Sequence, residues 1–307
     1  MTSVDFRHMD VTVLYGGTSA EREISLRSGA AVANSLEQAG ARVRHVDPAA
    51  ANWLSQLSSD TFVFNMLHGV GGEDGSVQGA LDTVGIRYSG SGVLGSAIAM
   101  HKDKTKRIWQ ARGLPTPKFV MLEAETDSAS VIEDLGPVFV KPVAEGSSFG
   151  LATADAADDL ERARAAAAEN AMPLMAESRI VGDELTVAIL GDRALPAIQI
   201  VPQGGYYDFD AKYVSGTTEF ICPAPLLPND TSQLETLALA AFKAVGAHGW
   251  GRVDLMRDDS SWWLLEVNTV PGMTETSLVP KAAAAAGMSF EDLLAEIYLS
   301  SEARYGC

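Results

Sequence analysis

Short apolar runs alternate with longer amphipathic stretches in the N-terminal part of the chain. The β-rich run Val11–Tyr15 ends at the glycine pair 16–17, and apolar residues at helical spacing follow it. Strand-like runs recur at residues 42–46 and 61–66, and a short helix is predicted around Trp53 between them. Strands that alternate with helices favour a parallel sheet, and ligands on such sheets bind beyond the carboxyl ends of the strands.

The pattern predicts two further units after this sheet. The second unit has two predicted helices, 102–111 and the alanine-rich 158–170, and three predicted strands, 119–122, 138–142 and 174–177. The third unit opens with a strand and closes with two helices, and its elements are the strand 185–189, a polar and aromatic loop at 204–217, and the helices 278–286 and 290–299. We expect an α/β protein with α+β units in its later part.

Composition narrows the class of protein. The chain has 307 residues, enough for two or three domains, and its 47% apolar and 21% charged residues are typical of a soluble globular protein. A polar N-terminus, two distant cysteines (Cys222 and Cys307) and no apolar run of membrane-spanning length favour a reducing cytoplasm. The net charge of -17 argues against nucleic acid as the main partner.

The strongest local pattern is a predicted β-hairpin at residues 250–269, with its turn near Asp259. Period-two alternation places even-numbered residues on one face, namely Arg252, Asp254, Glu266 and Asn268, and Val253, Leu255, Leu265 and Val267 on the other. Oxygen ligands without His or Cys suit Mg²⁺, although a solvated sheet face has the same pattern. The following turn, 271–274, favours the metal interpretation because its N–H groups can face an anion.

Glycine-rich segments supply three weaker signals. Lys141 precedes the loop 145–150, which suits a phosphate but lacks a Walker ending, and loops of this kind are more often structural. Thr18 and Glu21 have the spacing of a capping box, our default interpretation; the alternative has Glu21 facing the ligand crevice to hold an ammonium group. The segment from His68 to Gly75 is dense in glycine, which predicts close backbone approach, while His68 alone is equally typical of a structural histidine.

Six segments in order resemble the D-alanine–D-alanine ligase family of the ATP-grasp superfamily, over nearly the whole chain. They are Gly16–Glu23, His68–Gly75, Lys141–Ser148, Tyr207–Tyr213, Gly251–Asp254 and Glu266–Thr274. The resemblance implies a three-domain ATP-grasp fold, with an N-terminal parallel-sheet substrate domain and two domains that clamp ATP. The expected domains are residues 1–101, 102–184 and 185–307.

The resemblance also implies roles for single residues. For ATP, Lys102 and Lys141 match phosphate contacts, Glu177 and Ile180 the adenine hinge, and Glu184 the ribose-binding acid; Asp254, Glu266 and Asn268 match ligands of two Mg²⁺ ions. Mn²⁺ is an alternative metal, and K⁺ is a further candidate cation. For the first D-alanine, Glu21 matches the ammonium-holding residue, linked to Ser147 and Tyr213 in a triad, with His68 nearby. Arg252 and the N–H of Gly272 match the oxyanion site, while Ser277, Leu278 and Lys212 match the pocket for the second D-alanine, with a mobile lid at 205–217.

The implied activity is ATP-dependent joining of two D-alanines through a D-alanyl phosphate, for peptidoglycan synthesis, cell wall biogenesis and cell shape. The family also implies a cytoplasmic homodimer without membrane or nucleic-acid partners. Two rivals are a relative that uses D-lactate, against which Tyr213 argues, and a non-catalytic ATP-binding regulator, against which the three filled metal positions argue. His101, where the family often has Asp, and Ser178, where some members have a basic residue, are departures that bear on nucleotide affinity.

Overall fold

A computed structural model describes residues 4–146, 150–168, 172–202 and 218–306 of the chain. Its strands, in chain order, are β1 Asp10–Leu14, β2 Arg42–Val46, β3 Phe62–Asn65, β4 Arg87–Tyr88, β5 Phe119–Leu122, β6 Val138–Pro142, β7 Ala152–Ala154, β8 Leu174–Ser178, β9 Asp183–Leu190, β10 Arg193–Ala194, β11 Ile198–Val201, β12 Glu219–Ile221, β13 Trp250–Arg257 and β14 Trp262–Asn268. Its helices are α1 Arg22–Gln38, α2 Ser76–Thr83, α3 Val93–Met100, α4 Lys102–Ala111, α5 Ser128–Leu135, α6 Ala157–Ala168, α7 Pro228–Ala244, α8 Leu278–Ala285 and α9 Phe290–Glu302.

The first sheet is parallel, with strand order β2-β1-β3-β4. Its central strands are apolar on both faces because helices cover them, and every residue of β3 is buried. The parallel pairing predicted from the alternating pattern is therefore confirmed. The helix predicted around Trp53 is a 3-10 helix of one turn, Trp53–Gln56, in which Trp53 packs partly buried against the first sheet's core and the other residues are exposed.

Two antiparallel sheets follow. The second has the order β5-β8-β6-β7, and the third has the order β12-β11-β9-β13-β14, with β10 paired to β9. The second sheet buries its own small core with α5 and α6. The third sheet lies between two cores, one shared with the first sheet through α1, α8 and α9, and one formed with α4 and α7. The third sheet is thus fixed from both sides, which holds the β13–β14 hairpin rigidly.

Helix α4 connects the units. Trp109 is fully buried, and its indole N–H donates to the Ala241 carbonyl at 3.0 Å, which ties α4 to α7. The other end of α4 begins at Lys102, whose backbone N–H donates to the Val143 carbonyl beside β6. The Lys102 end of α4 therefore lies beside β6, which borders the large cavity described below. Within the described residues, no helix has both the length and the apolar character needed to cross a membrane.

Candidate active site

The hairpin of β13 and β14 carries the predicted polar face. Its register pairs Arg252 with Asn268 and Asp254 with Glu266 across the two strands. Directly opposed residues of an antiparallel pair point to the same side, so these four side chains share one face. The pattern of alternation predicted this arrangement, and the intervening Val253 is fully buried on the other side.

One hairpin residue departs from the prediction. The register shifts between Asp254 and Leu255, so Leu255 faces Leu264 rather than Leu265. A bulge inserts one extra residue and reverses the alternation beyond it. Leu264 therefore occupies the core, fully buried, while Leu265 lines the large cavity. Placing Leu265 in the apolar layer was wrong for this reason.

Asp254 is the centre of the polar face, and it is 6% exposed. Arg252 donates to both of its oxygens, from Nε at 2.8 Å and from the guanidinium Nη2 at 2.7 Å. Thr186 Oγ1 donates to Oδ1 at 2.6 Å, and Asn268 Nδ2 donates to Oδ2 at 3.0 Å. The carboxylate thus has donors on both oxygens, and Arg252 is held in one orientation by a bidentate pair.

The donor set of this face is suited to a hard cation. Asp254 and Glu266 offer carboxylate oxygens and Asn268 an amide oxygen, which is the chemistry that Mg²⁺ prefers. Among the described residues no three His, Cys, Asp or Glu side chains form a metal-binding group. Two carboxylates are sufficient only where water and phosphate oxygens complete the shell, as they commonly do for Mg²⁺. The residues therefore fit a metal that is shared with a phosphate-bearing ligand.

A cavity of about 490 Å³ lies between the second and third sheets. All five residues matched to nucleotide contacts line it, together with two of the three candidate metal ligands: Lys102, Lys141, Glu177, Ile180, Glu184, Asp254 and Glu266. The cavity has an apolar part as well, which includes Phe139, Leu151 and Met256. A pocket with apolar walls at one end and lysines and carboxylates at the other suits a planar base joined to phosphates.

Lys102 marks the polar end of this cavity. Its ammonium donates to the Glu145 carbonyl at 2.5 Å and lies 3.5 Å from Glu266 Oε2. It therefore joins the loop after β6 to the metal-candidate face of β14. The neighbouring His101 is exposed, and Ser178 donates its hydroxyl to the Leu135 carbonyl at 3.0 Å. Of these two departures from the family pattern, only Ser178 lines the cavity.

Lys106 is a site residue that the sequence reasoning missed. It is fully buried, forms an ion pair with Glu177, and donates to Thr116 Oγ1 at 2.8 Å. The other Glu177 oxygen accepts from Lys141 Nζ at 2.5 Å, so one carboxylate joins two ammonium groups. Lys106 follows Lys102 by four residues on α4 and therefore lies on the same helix face. This spacing is the sequence feature from which its place near the site could have been predicted.

The pKa values of Lys106 and Glu177 reflect the balance of burial and charge. Burial lowers the pKa of Lys106 to about 8, against the opposing effect of Glu177. Burial alone would raise the pKa of Glu177, but Lys106 and Lys141 outweigh it and hold that pKa below its usual value. The carboxylate consequently stays ionised at neutral pH and keeps both ammonium groups in place.

The link between β8 and β9 depends on Gly182. A Cβ on this residue would lie 1.9 Å from the Arg257 carbonyl oxygen, so alanine forces the link away from the hairpin. We expect Gly182→Ala to lower the free energy of unfolding by about 1–3 kcal/mol and to weaken ATP binding, because Gly182 lines the cavity. Chemical unfolding and the KM for ATP measure the two effects.

Gly79 provides the matched control for that substitution. It lies within α2, and its added Cβ would meet only Val93 Cγ2 at 3.7 Å, an ordinary contact. Gly79→Ala should leave stability unchanged or improve it, since alanine favours a helix interior. Equal losses in both variants would contradict the close-approach explanation for Gly182.

The position of Glu21 distinguishes the capping-box interpretation of its segment from the ligand-crevice interpretation. It is the N-cap residue of α1 and its side chain makes no capping hydrogen bond, so the capping box expected with Thr18 was wrong. A Cβ built on Gly69 or on Gly146 would lie 2.7 or 2.8 Å from Glu21 Oε2. The carboxylate thus lies between the loop after β3 and the loop after β6, and both loops need glycine to approach it.

His68 and Glu73 are placed in the same cleft. His68 is 6% exposed, and its Nε2 lies 3.2 Å from Ser28 Oγ. Burial lowers the pKa of His68 to about 4, so the ring is neutral at physiological pH. Burial, followed by the nearby Glu21 carboxylate, raises the pKa of Glu73 to about 8. Arg252 also acts electrostatically on both groups, which places the guanidinium near this cleft.

The turn after β14 closes the cleft. A Cβ on Gly272 would lie 2.9 Å from Ser277 Oγ, so the backbone passes close to the start of α8. The Thr274 N–H donates to Ser277 Oγ at 3.0 Å, and Leu278 is buried beside it. Gly272, Ser277 and Leu278 are therefore neighbours, as their assignment to adjoining subsites requires. Ser147, Lys212, Tyr213 and the loop 205–217 lie outside the described residues.

Comparison with known proteins gives consistent matches. The family model described as "D-ala D-ala ligase C-terminus" matches residues 108–298, more than half of the chain. A D-alanine–D-alanine ligase of Chromohalobacter salexigens is 50% identical over 295 residues, 95% of this chain and 94% of that protein. One of Pseudoalteromonas translucida is 47% identical over 302 residues, covering 97% of this chain and 98% of that protein.

Solved structures agree with the sequence matches. The chain is similar to the crystal structure of a D-alanine–D-alanine ligase from Bacillus anthracis, with a TM-score of 0.86, 32% identity, and coverage of 95% of this chain and 97% of that one. The same enzyme complexed with ATP matches with a TM-score of 0.84 and 31% identity, covering 95% and 97% of the two chains.

Proposed function

The chain belongs to the D-alanine–D-alanine ligase family, and we propose that its large cavity and adjoining cleft form the active site for that reaction. It is an ATP-dependent ligase that joins two D-alanines into D-alanyl-D-alanine for peptidoglycan synthesis. The observation that carries the site proposal is the position of Asp254 and Glu266. They line the cavity with Lys102 and Lys141, while Asp254 is bonded to Arg252.

ATP occupies the 490 Å³ cavity in this proposal. The adenine lies against the apolar walls beside Ile180 and the β8–β9 link, and the ribose lies toward Glu184. Lys102 and Lys141 contact the phosphates and offset their charge. Glu177 orients Lys141 through their hydrogen bond at 2.5 Å, so it acts on the phosphate site through that lysine.

The first chemical step is phosphoryl transfer to the first D-alanine. A carboxylate is a poor acyl donor, so its oxygen attacks the γ-phosphorus of ATP, the bond to the bridging oxygen breaks, and ADP leaves. Glu21 holds the ammonium of this substrate, with Ser147 and Tyr213 completing its hydrogen-bonded triad. His68, neutral at physiological pH, lines the same subsite without adding positive charge beside the ammonium.

The second step forms the peptide bond. The deprotonated amine of the second D-alanine attacks the acyl carbon, a tetrahedral oxyanion forms, and its collapse expels phosphate. Arg252 and the Gly272 N–H stabilise the oxyanion, while Ser277 and Lys212 hold the second carboxylate beside Leu278. The segment 205–217 serves as a lid that excludes water, which would otherwise hydrolyse the acyl phosphate.

Asp254, Glu266 and Asn268 would hold two Mg²⁺ ions in this site, with Mn²⁺ as an alternative and K⁺ as a further candidate cation. Bound Mg²⁺ would offset the negative charge on the transferring phosphoryl group. Asp254 accepts from Arg252, Thr186 and Asn268, so it would orient the oxyanion-binding guanidinium in addition to holding a metal ion.

The remaining assignments are also proposals. The three sheets support a division at residues 1–101, 102–184 and 185–307 into a substrate domain and two ATP-clamping domains. Val93 and Leu94 begin α3 as adjacent apolar side chains that are 41% and 71% exposed, and we assign this pair to the interface of a homodimer. Consumption of ATP and the free thiol of Cys222 support a cytoplasmic location.

The decisive test measures ADP release from ATP and Mg²⁺ with D-alanine, L-alanine, or D-alanine plus D-lactate, and identifies products by mass. We expect release that depends on D-alanine, together with one dipeptide per ADP. Ester formation from D-lactate that is faster than dipeptide formation would mean that the preferred second substrate is D-lactate. Tight ATP binding without any turnover would overturn the catalytic proposal and favour a regulator.

A further inference from the structure

The turn between β14 and α8 is held at two points by side chains from the first sheet's unit. The Val270 N–H donates to Glu73 Oε1 at 3.1 Å, and the Met273 N–H donates to Ser28 Oγ at 3.1 Å. These two backbone groups lie on either side of Gly272 in the chain. The Gly272 N–H, assigned above to the oxyanion, is therefore placed between two anchors that lie far away in sequence.

The same two side chains also hold the loop that follows β3. The second oxygen of Glu73 accepts from the Gly69 N–H at 2.8 Å, and Ser28 Oγ lies 3.2 Å from His68 Nε2. Each of the two thus bridges the first-substrate loop to the oxyanion turn. Ser28 lies on α1, which begins directly after Glu21, and it is fully buried.

The hydrogen-bonding capacity of Ser28 matches this bridging position. Because His68 is neutral, its Nε2 can accept a hydrogen bond from the serine hydroxyl, while the serine oxygen accepts one from the Met273 N–H. A serine hydroxyl can do both at once, whereas alanine can do neither. Since the site is fully buried, no solvent is at hand to replace the lost partner.

An oxyanion donor is effective only when it points at the place where negative charge develops. A backbone N–H cannot adjust by rotating a side chain, so its position depends on where the whole turn lies. A misplacement of about 1 Å can cost about 10²-fold in rate. The anchors of the turn therefore bear on turnover although neither touches the reacting atoms.

We propose that Ser28 and Glu73 are positioning residues that fix the Gly272 N–H relative to the bound first D-alanine. This inference rests on the proposed function. It assigns to α1 and to the loop after β3 a second task besides lining the first-substrate subsite. It also explains why Ser28 is polar on a helix face that buries Val32 and Leu36.

The test compares Ser28→Ala and Glu73→Gln with the wild-type enzyme. Glutamine keeps one acceptor oxygen, so one of the two N–H groups of Gly69 and Val270 loses its partner. We expect kcat to fall by about tenfold or more in each variant, with the KM for ATP within about twofold of wild type. We also expect fewer dipeptides per ADP released, because a misplaced oxyanion donor slows the attack while the acyl phosphate hydrolyses.

Ser301→Ala is the matched control. Ser301 is equally buried on α9; it accepts from the Gly90 N–H at 2.8 Å and donates to the Ile297 carbonyl, so it bonds neither the loop after β3 nor residues 270–274. It should lose stability like Ser28→Ala but keep its kcat and its ratio of dipeptide to ADP. If the three variants have the same kcat, the positioning role is wrong and the bonds are structural only.

Different results would overturn the proposed function and the positioning role of Ser28 and Glu73. A wild-type enzyme that makes no dipeptide would overturn the proposed function itself. An active wild type whose Ser28→Ala and Glu73→Gln variants keep full kcat and full coupling would overturn only the positioning role. Should Ser28→Ala fail to fold, the partly buried Glu73→Gln decides the question by the same ratio of dipeptide to ADP.

Discussion

Replacing Lys106 with methionine should lower the free energy of unfolding by about 3–5 kcal/mol. The substitution keeps the length of the side chain but removes one of the two ammonium groups that flank Glu177, which is only 1% exposed. The Glu177 carboxylate then keeps only Lys141 as a charged partner, so less of its desolvation cost is offset. Thr116 and the Leu264 carbonyl lose a donor as well. Urea unfolding of the purified variant measures the change.

Two further variants separate buried charge from simple loss of packing. Lys106→Met combined with Glu177→Gln removes the uncompensated carboxylate, so it should be more stable than Lys106→Met alone. Lys104→Met lies on the same helix, but its side chain is 62% exposed in a pair with Asp103, and we expect a change within about 0.5 kcal/mol. If Lys106→Met proved as stable as Lys104→Met, the buried ion pair would not support the fold.

The parts of the fold that sequence could predict are those set by local pattern. Alternation on β13 and β14 placed Arg252, Asp254, Glu266 and Asn268 on one face, because period two is a property of any strand. The prediction failed at Leu265, since a bulge changes the count by one and no local residue type marks it. The one extra residue places Leu264 in the core and Leu265 at the cavity.

The missing parts of the site are contacts between distant segments. Lys106 looks like an ordinary helix lysine until β8 brings Glu177 against it, and Ser28 looks like a small core residue until the turn after β14 reaches it. Such pairs depend on how three sheets pack together, which periodicity does not encode. The capping box failed for a related reason: the spacing of Thr18 and Glu21 was correct, but helix α1 begins later.

The resemblance to a family supplied what local pattern could not. It grouped Lys102, Lys141 and Glu184 as contacts to one ligand, although they lie far apart in sequence on α4, β6 and β9, and the structure brings all three to one cavity. Residues without a family role, such as Lys106 and Ser28, became visible only from the geometry.

Replacing Arg252 with alanine should reduce turnover by about 10²–10³-fold, the usual cost of losing an oxyanion donor. The guanidinium is held by two hydrogen bonds to Asp254, so it is preorganised before substrate binds and costs little reorganisation in the transition state. Arg252→Lys keeps the charge but loses the bidentate pair, and we expect an intermediate rate. Steady-state dipeptide formation at saturating ATP and D-alanine measures all three enzymes.

A second arginine on the same strand tests whether the effect is local. Arg257 lies at the far end of β13 and pairs with Asp230 at 2.6 Å, so Arg257→Ala should keep turnover within about twofold of wild type. Arg252→Ala also removes two hydrogen-bond donors from Asp254, so the KM for ATP must be measured together with kcat. A higher KM for ATP with an unchanged kcat would reflect a disturbed metal or nucleotide site. A loss in kcat with ATP binding intact assigns Arg252 to the reacting centre, whereas full turnover without Arg252 would mean that another group holds the oxyanion.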